Sequence, residues 1–220
     1  MSYRIAAAGV PARRSLKAQL SRSILPVRWL RWRQRLRVAL ARAKQYGHCF
    51  RCGAPLPGPR PCVCAACGYE AYNNARPTAS LLITDERDRV LLLKRVRAPS
   101  VGLWETPGGF CDGWENPQET ACREGREELG VDVVLGPFLG MYIGDYEFQG
   151  ELFPVLDCFW LATLPPGVSI VLDPVESSEA GWFSVGALPD LAFDTMRRAI
   201  GDYASVVNRE DHSTKGQLAQ

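Results

Sequence analysis

The run from Gly109 to Val131, GFCDGWENPQETACREGREELGV, limits what this chain can fold into more than any other segment. Glu124, Glu127 and Glu128 stand at i, i+3 and i+4, a spacing that puts three carboxylates on one face of a helix. Three adjacent anions repel one another, so the face calls for a cation. Oxygen donors of this kind select a hard ion such as Mg2+ or Mn2+. The helix carries its own boundaries. Asn116 is an N-cap, Pro117 suits the first helical position, Glu119 completes a capping box, and Gly130 suits a left-handed C-cap. These signals predict a helix over about 117–129. Gly125 inside it costs roughly 1 kcal/mol against alanine, which close packing of an Ala121–Gly125 face on a sheet would explain. Before the helix, Gly108 and Gly109 leave the main chain open to a metal or a phosphate.

A solvated helix laced with ion pairs would account for the charges alone. Arg123 would then pair with Glu119 or Glu127, each pair contributing tenths of a kcal/mol, roughly 0.2–0.5. It leaves Gly108, Gly109 and Glu115 without a reason.

The same positions resemble the signature of the Nudix hydrolases. Gly109 and Glu115 match its first fixed residues, Arg123 and Glu124 its Arg–Glu pair, Glu127 and Glu128 its Glu–Glu pair, and Gly130 and Val131 its close. Gly125 departs from a position where the family has a bulky aliphatic residue, and Trp114 stands where many relatives have glycine. The resemblance implies catalytic roles for Glu124, Glu127, Glu128, Arg123 and Glu115, with Mg2+ or Mn2+ on the three helix glutamates. It implies substrate contacts at Gly108 and Gly109, and Arg95 is expected to steer phosphate. For the proton acceptor, Glu128, Glu176 and Glu179 are candidates. Trp104, Trp114, Tyr142, Tyr146 and Phe148 are candidates either for stacking a base or for ordinary sheet packing.

Charge divides the chain unequally. No Asp or Glu precedes Glu70, and residues 1–69 hold 14 Lys and Arg, so they are net +14 while the remainder is net −12. Residues 1–25 are rich in Arg, Ser and Ala, like an organellar transit peptide. From Pro26 to Tyr46, Trp29, Trp32, Leu36, Leu40 and Ala43 form an apolar stripe beside a basic face. A helix of this kind suits an anionic membrane, nucleic acid or the acidic remainder of the chain; a solvated leader is the plainer reading.

Cys49, Cys52, Cys64 and Cys67 form two C-x2-C knuckles followed by Gly53 and Gly68. This spacing reads as a four-thiolate structural zinc site. The Pro- and Gly-rich loop between the knuckles cannot build a core, so a unit this small needs its metal. Disulfides are the alternative, but no secretory apolar segment precedes the cysteines.

Runs 78–84 and 90–95 read as strands around a polar turn. Further strands are expected near 131–143, 152–164 and 180–185, and a helix near 194–203. The fold expected is a Nudix α/β/α sandwich with a mixed sheet, preceded by a zinc ribbon. The boundaries are a basic arm at 1–47, the ribbon at 48–70, the Nudix domain at 71–205 and a disordered tail at 206–220. A ribbon ahead of the box, with GLWETPGG and ESSEAGWFSVGALPDLAF, resembles the FAD and ADP-ribose pyrophosphatases. No SQPWPFPxS-like stretch follows the box, which places NADH behind them. The resemblance implies Mg-dependent hydrolysis of a nucleotide-linked small molecule by a cytoplasmic enzyme, or an organellar one if residues 1–25 are a transit peptide. It admits a homodimer. A nucleotide-sensing regulator that holds nucleic acid through the ribbon and the basic arm, and a housecleaning nucleoside triphosphate pyrophosphatase, are the competing readings.

Overall fold

The computed structural model describes residues 47–149 and 151–217; the expectations for residues 1–46 lie outside them. The two cysteine knuckles fold alike. Gly53 N donates to Cys49 O and Gly68 N to Cys64 O, both at 2.9 Å, and both glycines have φ of +71°. That positive φ is the reason for glycine after each knuckle. Strands β1 (Cys62–Val63) and β2 (Glu70–Ala71) pair antiparallel. Only Cys49, Leu56, Cys64 and Ala71 form the buried cluster here, too little apolar surface to hold a domain by itself.

Strand β3 (Arg76–Ile83) lies at the centre of a four-stranded sheet. It pairs antiparallel with β6 (Gly108–Phe110) and parallel with β8 (Glu151–Thr163), which in turn pairs antiparallel with β7 (Val134–Phe148). A second sheet is antiparallel, with β4 (Arg89–Arg95) between β5 (Trp104–Glu105) and β9 (Ser177–Ser184). The turn joining β3 to β4 closes with a single bridge, Thr84 to Val90, after which the two strands enter different sheets. Burial explains this. Ala79 to Ile83 and Val90 to Leu93 are buried at every position, so both strands need cover on both faces, as continuous apolar runs require.

The two covers are distinct. Ala79, Leu81, Ile83, Leu91 and Leu93 pack with Ala121 and Leu129 of helix α1 (Pro117–Leu129). Leu82, Val90, Leu92 and Phe159 pack with Met196, Ala199, Ile200 and Tyr203 of helix α2 (Asp194–Gln217). The result is the expected α/β/α sandwich with a mixed sheet. A Cβ on Gly125 would lie 3.2 Å from Leu81 Cδ1 and Val133 Cγ1, so α1 does approach the sheet too closely for the usual aliphatic residue. Helix α2 runs past the end expected near 203, into the stretch read as a disordered tail. The apolar stripe of Ile200 and Tyr203 continues to Val207, which packs on the same core. Among the described residues no helix is long and apolar enough to cross a membrane.

Candidate functional site

The ends of α1 set the phase of its carboxylates. Asn116 Oδ1 accepts from Gln118 N and Glu119 N at 3.0 Å, and Glu119 Oε2 accepts from Asn116 N at 3.0 Å. Gly130 closes the helix at φ +67°. Fixed in this way, the helix turns Ala121, Glu124, Gly125, Glu128 and Leu129 toward the sheet. Glu124 and Glu128 are therefore buried, while the Glu127 side chain is 58% exposed.

Gly108 and Gly109 meet these two carboxylates. Gly108 N donates to Glu128 Oε2 at 2.8 Å. A Cβ on Gly109 would lie 2.3 Å from Glu124 Oε1, so the missing side chain is the space that Glu124 occupies. Gly108 has a different reason: at φ +148°, its Cβ would lie 2.2 Å from Ala79 O on the paired strand.

Arg123 ties the face together. Its Nε and Nη2 donate to Glu115 at 3.1 and 3.0 Å, and Nη2 also donates to Phe110 O at 3.1 Å. Its Nη1 donates to Glu124 Oε1 at 2.8 Å and to Glu127 Oε2 at 2.7 Å. Hydrogen bonds from Arg123, with another from Thr120 Oγ1, hold the Glu115 carboxyl down at about 2. Arg123 and Glu115 thus orient the other glutamates. Burial raises the Glu124 carboxyl, and Arg123 opposes the rise; burial raises Glu128 well above the ordinary range, and the charge of Glu105 adds to it.

Glu105 is the site residue that the sequence reading missed. It is 5% exposed, and burial pushes its carboxyl up to about 7 against the pull of Arg95. The signal was a lone acid between Trp104 and Thr106 in GLWETPGG, a stretch whose other residues are apolar or small. Arg95, expected at a phosphate, is engaged elsewhere. It forms an ion pair with Glu105, donates from Nε to Pro99 O at 2.8 Å and lies over the Phe193 ring.

Of the two loop candidates for proton acceptor, Glu176 joins the cluster. Its charge raises the proton affinity of Glu105, Glu124 and Glu128, and it pairs with Arg97. Glu179 instead reaches Lys94 at 3.3 Å and is exposed. The aromatic candidates separate too. Trp104 packs edge-on against Phe183, and buried Tyr142 donates to Asp202 Oδ2 at 2.8 Å. Tyr146 joins Phe110, Phe153 and Phe193 beside β6. Phe148 and Trp114 are exposed.

Among the described residues, the six carboxylates of Glu105, Glu115, Glu124, Glu127, Glu128 and Glu176 are met by three ion-pairing cations, Arg95, Arg97 and Arg123. Such a surplus of oxygen donors is the kind a hard divalent cation neutralises, although among the described residues the carboxylate oxygens do not converge within 4.8 Å as the cysteine sulfurs do. The four cysteines form a second candidate metal centre. Their sulfurs all lie within 4.8 Å of one another, with Cys49 to Cys67 at 3.6 Å and Cys52 to Cys64 at 3.7 Å. A tetrahedral ion with ligands at ~2.3 Å has edges of about 3.8 Å, so the spacing fits Zn2+. Cys62 turns away, its thiol donating to Gly58 O.

Comparison with known proteins identifies the domain that carries these residues. The family model for the NUDIX domain matches residues 74–202. An NAD-capped RNA hydrolase NudC of Stutzerimonas stutzeri is 31% identical over 162 residues, covering 72% of this chain and 54% of that protein. The chain thus spans about half the length of the NudC relatives it matches. A putative 8-oxo-dGTP diphosphatase of Bacillus subtilis is 30% identical, covering 57% of this chain and 77% of that protein. The crystal structure of a MutT NUDIX hydrolase from Burkholderia pseudomallei is 30% identical, with a TM-score of 0.51, covering 59% of this chain and 98% of that one.

Proposed function

The chain belongs to the Nudix family, and on that premise we propose that it hydrolyses the diphosphate bond of a nucleoside diphosphate linked to a second group, releasing a nucleoside monophosphate. The observation that carries this reading is the pair of buried carboxylates, Glu124 and Glu128, set against Gly109 and Gly108. When bound there, Mg2+ or Mn2+ would screen the diphosphate charge and ease attack by water.

The chain's own groups do the rest. Glu124, Glu127 and Glu128 offer the oxygen ligands, and Arg123 holds Glu124 and Glu127 in place. Gly108 fixes Glu128 through its N–H, and Gly109, expected at a phosphate, instead leaves the space that Glu124 fills. The Glu176 carboxylate takes the proton of the attacking water; it is preferred to Glu179 for its place in the acidic cluster, and to Glu128 because that side chain serves as a cation ligand. Arg95 acts indirectly, by holding Glu105 against the cluster. The thiolates of Cys49, Cys52, Cys64 and Cys67 hold a structural Zn2+ that keeps residues 48–70 folded.

The sequence motifs favour FAD and ADP-ribose, whereas the NudC relatives favour an NAD-type substrate, including NAD at the end of an RNA. The shared chemistry is a nucleoside diphosphate ester, and a cytoplasmic site of action suits it. The test is hydrolysis by the full chain with Mg2+ or Mn2+. The substrates are FAD, ADP-ribose, NAD, NADH, an NAD-capped oligonucleotide and 8-oxo-dGTP, with Glu124→Gln as the control. Release of a nucleoside monophosphate from a diphosphate-linked compound is expected, and Glu124→Gln abolishes it. Cleavage of 8-oxo-dGTP alone would favour the triphosphate reading carried by the Bacillus subtilis relative. Tight binding without cleavage would favour a sensor.

A further inference from the structure

Trp114 differs from every other described tryptophan. Trp104, Trp160 and Trp182 pack against the two cores, whereas Trp114 is fully exposed at 104%. The half-buried rings nearest the box satisfy one another, with Phe110–Tyr146 centroids at 5.1 Å and Tyr146–Phe193 at 5.6 Å. No ring contact involves Trp114 among the described residues.

The loop beneath the indole is held firmly. Glu115 N donates to Asp112 O at 2.9 Å, closing a turn across Gly113 and Trp114. Asp112 N returns a hydrogen bond to Glu115 Oε2 at 3.3 Å. Arg123 binds Phe110 O at one end of the loop and the Glu115 carboxylate at the other. The same guanidinium holds Glu124 and Glu127. One side chain therefore fixes both the carboxylate face and the loop that carries the indole. An exposed ring on a fixed loop binds a flat partner with little ordering cost.

We propose that Trp114 is a stacking platform for a planar ring of the substrate, presented by the loop that Arg123 ties to the carboxylate face. This rests on the hydrolase reading above. Base–aromatic stacking contributes roughly 1–3 kcal/mol, and about 1.4 kcal/mol corresponds to a tenfold change in affinity.

The experiment uses the full chain with NAD and Mg2+. Trp114→Ala should raise KM about tenfold while kcat holds, and Trp114→Phe, which keeps a ring, should recover most of the loss. In the Glu124→Gln protein, NAD should quench indole fluorescence, and the quench should vanish when Trp114→Phe is added. An unchanged KM in Trp114→Ala, or a Phe variant no better than Ala, would overturn the assignment. Failure of the wild type to release a nucleoside monophosphate from any of FAD, ADP-ribose, NAD, NADH or an NAD-capped oligonucleotide would instead overturn the hydrolase reading, and this inference with it.

Discussion

Gly109→Ala tests the link between the glycine pair and the carboxylate face. The new Cβ would lie 2.3 Å from Glu124 Oε1 and 2.7 Å from its Cδ, where ordinary contact begins near 3.4 Å. The carboxylate must therefore retreat by about 1 Å, which strains its 2.8 Å hydrogen bond from Arg123. A reacting centre displaced by ~1 Å loses on the order of 100-fold in rate. The fold should suffer less, because the obstacle is the tip of a flexible side chain. About 1 kcal/mol is expected, at the low end for overpacking, lowering Tm by roughly 2–4 °C in a domain of this size. Gly108→Ala is the contrast: its Cβ would strike Ala79 O and Ser80 Cα on the neighbouring strand, so it should cost folding itself. The assay is kcat with saturating substrate and Mg2+, beside calorimetry of both variants. A Gly109→Ala enzyme within twofold of wild-type kcat would refute the reasoning.

Arg123→Lys keeps the charge but cannot serve Glu115, Glu124, Glu127 and Phe110 O together. Cation affinity, measured by calorimetric titration, should fall about 10–100-fold. The Glu115 carboxyl lies at about 2 in the fold against an ordinary value of 4.5. Its stabilising contribution is therefore complete above 4.5 and is lost as pH falls through about 2. Glu115→Gln should remove this part of the acid limb when Tm is followed against pH, and superimposable acid profiles would contradict the pairing. A strong chelator should unfold residues 48–70 and release about one equivalent of zinc, measured colorimetrically beside amide NMR spectra. Cys64→Ser should lose that zinc while Cys62→Ser keeps it.

Helix α1 could be read from the sequence because its determinants are local. Asn116, Pro117, Glu119 and Gly130 act within a turn of their own positions, and the i, i+3, i+4 spacing follows once the helix exists. The two cysteine knuckles were legible for the same reason. What remained hidden depends on pairing across long stretches of chain. The run from Thr78 to Arg95 looks like one hairpin, yet its strands join different sheets because each must be covered on both faces. Arg95 has the composition of a phosphate ligand, and only the register of β4 against β5 brings it to Glu105. Trp104 is indistinguishable from Trp114 by residue type; packing alone separates a structural ring from an exposed one. Helix α2 outran its expected end because composition turns polar after Val207 while the helical backbone, once nucleated on the core, continues.

The central claim is that Glu124, Glu127 and Glu128 form a cation-dependent hydrolytic centre. Manganese binding to the full chain, followed by electron paramagnetic resonance, tests it most directly when wild type is compared with Glu124→Gln and Glu128→Gln. Both substitutions preserve shape and should fold, since burial already favours the uncharged form of each side chain. Each variant should lose at least about tenfold in Mn2+ affinity and lose hydrolysis in parallel. Unchanged Mn2+ binding with wild-type hydrolysis in Glu124→Gln would contradict it.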